Sequence, residues 1–256
     1  VSRRVRRQND TRPARRSVVR SVAELGVTAA ALAVAAVLLV RPATTVDAAP
    51  AASPATTPRL DPPASALANP CTRGQVALTF DDGPGPYTGP VLAVLRAYQA
   101  QATFFVLGEK ARADATTVRA MVADGHTVGN HSWDHPHLAD LDAAVVRDQL
   151  VRTQEAITAA GAPAPVLVRP PFGSGGRTVD TVANELGLRP SSWTFDSEDW
   201  RGRRPADLAN AVVQNAQPGM SVLLHDGTAD AQNTVEALPA IIEGLRSRGY
   251  CTAALR

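Results

Sequence analysis

The chain has 256 residues, 45% hydrophobic, 4% aromatic and 20% charged, with a formal net charge of +2. That length and apolar content suit one globular core plus a non-globular extension. The basic excess belongs to the N-terminus: without residues 1–48 there remain 17 basic against 21 acidic side chains, about −4, which excludes a basic nucleic-acid-binding surface.

Residues 1–20 hold eight Arg and a single acid, Asp10, and an uncharged apolar run follows from Leu25 to Val40. A basic segment, an apolar segment and small residues around Val46-Asp47-Ala48 form the pattern of an export signal over residues 1–48. The apolar run falls slightly short of the ~20 residues of a spanning helix. Extended back over residues 22–40, it would instead serve as a membrane tether with its Arg-rich side inside. Cleaved signal and retained anchor both place the remainder outside the cytoplasm, secreted or held on the outer face of the membrane. Arg15-Arg16-Ser17-Val18-Val19-Arg20 is similar to a twin-arginine signal, and an ordinary secretory signal with a long basic segment fits equally well. Residues 49–70, rich in Pro, Ala, Ser and Thr, read as an extended linker.

Residues 71–256 form the expected globular domain, bracketed by the only two cysteines, Cys71 and Cys251. In an exported protein these can pair, tying the approach to the first strand to the last strand; two buried free thiols are the alternative. Gln75–Phe80 reads as a strand ending in the turn signal Asp-Gly-Pro-Gly-Pro, and Gly89–Ala100 as a helix. Ala102–Leu107 is a second strand, Asp114–Ala123 a helix stopped by Asp124-Gly125, and His126–Gly129 a third strand. A helix over about Leu141–Ala160 precedes the strand Val166–Arg169, the helix Arg177–Leu186 and extended Ser192–Phe195. Helix Pro205–Gln217, strand Ser221–Leu224, helix Thr234–Arg248 and strand Tyr250–Ala254 complete the series. About seven strand–helix alternations predict an α/β fold, a distorted barrel of about seven parallel strands.

Three stretches carry chemistry: Thr79-Phe80-Asp81-Asp82-Gly83, His131-Ser132-Trp133-Asp134-His135 and Leu223-Leu224-His225-Asp226. Each falls at the C-terminal end of a predicted strand or just after it, where barrel active sites are built. A carboxylate and two imidazoles suffice for a divalent-metal site, and the remaining carboxylate and imidazole can act as base and acid. This is the equipment of a metal-dependent hydrolase. Taken singly, Asp-Asp-Gly-Pro is a solvated turn and His-x-x-x-His a pair of surface imidazoles.

With Arg169-Pro170-Pro171-Phe172-Gly173 and Asp196-Ser197-Glu198-Asp199-Trp200, these stretches make five motifs in order over residues 71–256. The set resembles the polysaccharide deacetylases of carbohydrate esterase family 4, with their NodB-like domain. Phe172 departs from the Tyr often found there, at a position where the backbone N–H is the group expected to matter.

Asp82, His131 and His135 fit a metal site with open positions; zinc suits the donor set, with cobalt or nickel possible. A helical turn would put His131 and His135 on one face. The resemblance implies Asp81 as general base beside Arg169, and His225 as the acid, with Asp199 raising its basicity. It further implies the Phe172 N–H as an oxyanion donor, with Trp200 and Leu223 walling a pocket for the acetyl methyl. His126 is read as structural, His137 as exposed, and Asp196 and Asp226 as structural.

The implied activity is hydrolytic removal of N-acetyl groups from N-acetylglucosamine-containing glycans, peptidoglycan or chitin-type chains, with release of acetate. Acetylxylan esterase chemistry at the same site is the alternative. A non-catalytic glycan-binding module would be expected to have lost one of Asp81, Asp82, His131, His135 or His225. A non-haem iron oxygenase could use the metal triad but would have no use for the flanking acid and base. The partner is a glycan, and a monomer is expected.

Overall fold

The computed structural model describes residues 71–256. The expected export signal or anchor and the linker lie outside the described residues, among which no helix is long and apolar enough to cross a membrane.

Strands β1 (Gly74–Gly83), β2 (Thr103–Val106), β3 (Thr127–Asn130), β4 (Leu167–Val168) and β5 (Arg189–Pro190) run outward in sequence order on one side of β1. On its other side lie β7 (Met220–His225) and then β6 (Phe195–Asp196). All pairings are parallel. Strands β5 and β6 end the seven-strand path, so the barrel is distorted and open rather than closed. The last strand, β8 (Tyr250–Thr252), pairs with the start of β1, Cys251 opposite Gln75. Cys71 and Cys251 form the expected disulfide, 180 residues apart in sequence.

Helices α1 (Thr88–Ala97), α2 (Gly108–Ala113), α3 (Ala115–Ala123), α4 (Ala143–Ala159), α5 (Arg177–Glu185), α6 (Pro205–Gln214) and α7 (Gln232–Ser247) make the crossovers. Strand β1 alternates cleanly. Val76, Leu78 and Phe80 join Phe104, Val222 and Leu224 in a core with Leu95 of α1 and Leu238, Ile241 and Leu245 of α7. Phe80 and Phe104 stack at 5.2 Å. The intervening residues, Thr79 and Asp81, take the opposite face, because successive side chains of a strand point to opposite sides. Thr79 and Asp81 there meet the guanidinium of Arg169, which is wholly buried. Apolar side chains thus face the helices, and the chemistry faces inward. A smaller core of Leu138, Val146, Leu150, Val168, Val179 and Leu188 supports the β4 side.

Helix α2 and strand β5 have no counterpart in the sequence reading; six and two residues are too short for a periodic signal.

Candidate active site

Adjacent residues of a regular strand cannot both face one cavity, yet Asp81 and Asp82 do. The register of β1 against β2 shifts between Asp81 and Gly83, and Asp82 adopts φ 72°. This bulge turns the second carboxylate toward the side already taken by the first. Among the described residues six non-glycine residues have positive φ, and five of them, Asp82, Ser132, His135, Phe172 and Glu198, belong to four of the five motifs. Backbone strain of this kind, worth ~1–3 kcal/mol per residue, is retained where surrounding structure enforces it.

The stretch His131–His135 is a loop and not the expected helical turn; Ser132 and His135 have φ 69° and 66°. Two left-handed residues fold the imidazoles toward Asp82. His131 Nδ1 lies 2.7 Å from the Arg169 carbonyl, which can only accept, so Nδ1 carries the proton and Nε2 presents a lone pair. That lone pair faces Asp82 Oδ1 at 3.4 Å, and His135 Nε2 approaches the same oxygen at 3.1 Å. Asp82 Oδ1 is buried with no hydrogen-bond donor. Acceptors converging on a buried oxygen fit a cation placed among them, and the three ligand atoms lie within 4.8 Å of one another. Burial alone would raise the Asp82 carboxyl, but the adjacent His131 and His135 outweigh it and hold the group well below the usual carboxylate range.

Arg169 reaches Asp81 Oδ1 and Thr79 Oγ1 at 2.7 Å each through one nitrogen, and the Ser191 carbonyl through Nε at 3.2 Å. Its guanidinium also lies over the Phe105 ring at 4.1 Å. One oxygen of Asp81 is therefore committed, and Oδ2 remains on the side of His131.

His225 is the register partner of Asp81 across β1 and β7. Its Nδ1 donates to Asp199 Oδ1 at 2.8 Å, and its backbone N–H and the Thr234 hydroxyl donate to Asp199 Oδ2, both at 2.8 Å. Burial alone would lower the imidazole. The Asp199 hydrogen bond and charge, with Asp81 and Asp82 behind them, push it up to about 9. Thr234 carries no signal in the sequence, since it comes 35 residues after Asp199 with no local pattern to mark it.

Asp81, Asp82, His131, His135 and His225 share a cavity of about 430 Å³ with Phe172, Trp200 and Leu223, so every expected substrate-facing side chain is on its wall. Asp196, read as structural, also lines it while accepting from the Glu198 N–H at 2.8 Å. Phe172 and Trp200 are 60% and 51% exposed and form an aromatic rim. His137 is exposed as expected, but its ring stacks on Phe172 at 4.0 Å, and Phe172 meets His135 edge-on at 4.4 Å. His126 is structural: it is buried and accepts the Ala102 N–H, and burial lowers it to about 4.

A family model described as Polysaccharide deacetylase matches residues 68–191. The chain is 35% identical over 188 residues to a peptidoglycan-N-acetylglucosamine deacetylase of Bacillus cereus, covering 73% of this chain and 68% of that protein. It is likewise 35% identical to a chitooligosaccharide deacetylase of Azorhizobium caulinodans, covering 70% and 91%. This chain belongs to the polysaccharide deacetylases of carbohydrate esterase family 4. The deacetylase superposes on a family 4 carbohydrate esterase from Streptomyces lividans with TM-score 0.68 and 38% identity, covering 72% and 93% of the two chains. A bifunctional xylanase/xylan deacetylase of Cellvibrio japonicus is 40% identical over 70% of this chain, which spans only 26% of that protein. The same fold is found in a family pseudoenzyme from Bacillus anthracis (TM-score 0.67, 30% identity, 72% and 64% covered), so site residues rather than fold decide activity. In this deacetylase Asp81, Asp82, His131, His135 and His225, the expected metal-binding and proton-transfer residues, are all present and brought together.

Proposed function

We propose that this deacetylase removes N-acetyl groups from N-acetylglucosamine-containing glycans outside the cytoplasm, peptidoglycan or chitooligosaccharides, using zinc held by Asp82, His131 and His135. One observation carries the reading. Asp81 and His225 are cross-strand register partners, and both border the cavity that holds the Asp82–His131–His135 cluster. A base and an acid therefore flank one cation site, which is the arrangement hydrolysis of an amide needs.

When bound, the divalent cation supplies Lewis acidity toward water and the acetyl carbonyl. Asp81, one oxygen fixed by Arg169, takes the proton of the attacking water on Oδ2. The Phe172 N–H, carried on a left-handed turn of φ 58°, donates to the oxyanion that develops on the carbonyl. Leu223 and Trp200 receive the acetyl methyl. His225, its Nδ1–H committed to Asp199, donates from Nε2 to the departing nitrogen. The C–N bond breaks, the amine leaves protonated, and acetate is released. No covalent enzyme intermediate is required.

The extracytoplasmic setting is supported by the Cys71–Cys251 disulfide and by the peptidoglycan-acting relative. The kinship with a xylan deacetylase keeps the acetyl ester of xylan as the second reading, since ester and amide pass through the same kind of tetrahedral intermediate. The test is acetate release by the zinc-loaded protein from chitooligosaccharides, peptidoglycan and acetylxylan, with mass spectrometry of the glycans. Loss of one acetyl per event from the first two supports the proposal. Release from xylan alone selects the second reading, and a rate indifferent to chelation overturns both.

A further inference from the structure

Lys110 is the only lysine among the chain's 26 basic residues. Its ammonium donates to the Asp82 carbonyl at 2.9 Å and to the Gly227 carbonyl at 3.0 Å. The first belongs to the loop that carries Asp81 and Asp82, the second to the loop that follows His225. Lys110 sits at the start of α2, whose first N–H groups are spent in the same neighbourhood. Leu107 N–H donates to Gly83, Gly108 N–H to Ser132 and Glu109 N–H to Trp133, at 3.0, 3.0 and 3.1 Å. Four consecutive residues thus satisfy carbonyls of three motif loops, which would otherwise be unpaired at the head of a short helix.

The two loops that Lys110 joins are in very close contact. A Cβ placed on Gly227 would fall 1.8 Å from the Asp82 carbonyl oxygen, so only glycine permits the approach. Both carbonyls, the first on the left-handed backbone of Asp82, accept from the one ammonium, which thereby joins the two segments. An ammonium offers three rotatable donors on a flexible stem and can point one at each oxygen; a planar guanidinium has a fixed fork.

The geometry points to Lys110 as a positioning residue that pins the bulged end of β1 at Asp82 to the segment after His225, and so holds the cation site in place relative to the base and acid on the β1–β7 ladder. It touches no substrate and acts through two backbone carbonyls. The rate consequence rests on the proposed function; the effects on cation binding and backbone mobility do not.

The test uses the full chain with K110M, K110Q and K110R, and three readouts. For K110M, kcat on the best substrate falls at least ~10-fold with KM within ~2-fold, zinc affinity measured by equilibrium dialysis weakens ~10-fold, and amide exchange accelerates in residues 81–88 and 224–231 but not in β2 and β3. K110R, which keeps the charge but carries its donors in a fixed fork, recovers only part of each effect. K110Q, with one short amide, falls between them and takes the place of K110M if that variant does not fold. Wild-type kcat, zinc affinity and exchange in K110M or K110Q overturn the inference. Faster exchange spread evenly over the whole domain also overturns it, since that marks a merely structural role. If the wild-type protein releases no acetate from any substrate, the proposed function fails, while zinc affinity and exchange still decide the role of Lys110.

Discussion

Replacing Asp199 by Asn should move the alkaline limb of the activity profile without destroying the site. Asp199 receives His225 Nδ1–H on Oδ1 and the His225 and Thr234 donors on Oδ2, so the near-isosteric amide keeps the shape, loses the charge and leaves an acceptor on only one of the two sides. In the native site the imidazole is pushed from 6.5 to about 9, worth about 3 kcal/mol in favour of the charged form at 1.36 kcal/mol per pKa unit. Burial opposes that displacement, so removing the Asp199 charge lowers His225 toward its ordinary value of 6.5, with Asp81 and Asp82 still supporting the charged form. An acid must be protonated to donate. At pH 8 the protonated fraction drops from about nine-tenths toward about one-thirtieth, a rate loss of up to roughly 30-fold that reverses on acidification. The charge of the bound cation also lowers the value, so the wild-type limb in the loaded enzyme lies at or below about 9. The assay is kcat/KM from pH 5 to 10 for both proteins loaded with the same metal. A variant limb that stays where it was refutes the assignment of His225 as an acid tuned by Asp199, whatever the loss common to all pH values from the missing acceptor.

Asp81→Asn should lower kcat at least ~100-fold, the usual worth of a general base, while zinc affinity by equilibrium dialysis stays within a few-fold of wild type; unchanged activity removes Asp81 from the role. Asp226 is buried, with the Thr88 hydroxyl on Oδ2 and no donor for Oδ1. Burial first, then the charges of Asp82 and Asp81, push its carboxyl from 3.8 up to about 7. A folded-state value above the unfolded one means that stability is full below about 4 and is lost as pH rises through about 7. Asp226→Asn should therefore stabilise the metal-free protein by up to about 4 kcal/mol at pH 8 in urea unfolding, with much less gain at pH 5; equal gains at both contradict this. Reducing the disulfide by Cys251→Ser releases a loop of 180 residues and should cost up to about 5 kcal/mol of stability, with kcat unchanged at a temperature where the protein stays folded.

Alternating apolar runs announced the parallel α/β architecture because burial on the helix-facing side of β1 demands it, as Val76, Leu78 and Phe80 illustrate. The candidate metal and proton-transfer residues are legible because chemistry limits which side chains can serve. What failed was local geometry. The spacing of His131 and His135 suggests a helical turn, whereas left-handed residues in a loop bring them together. Nothing in the sequence reveals the bulge at Asp82, whose φ of 72° is enforced by tertiary contacts. Thr234 on Asp199 and Lys110 between two loops are equally silent, since each meets its partner across the fold rather than along the chain.

The pairing of Asp81 with His225 across β1 and β7 separates two kinds of heritable change. The proton-transferring pair is fixed to the hydrogen-bond ladder, where an insertion of one residue would invert every neighbouring side chain. Phe172 and Trp200 stand exposed on loops that can lengthen or be exchanged without disturbing that ladder. Glycan preference can therefore drift through rim loops while reaction chemistry stays constant, and a loop graft is the route by which one such scaffold could be redirected from a sugar amide to a sugar ester.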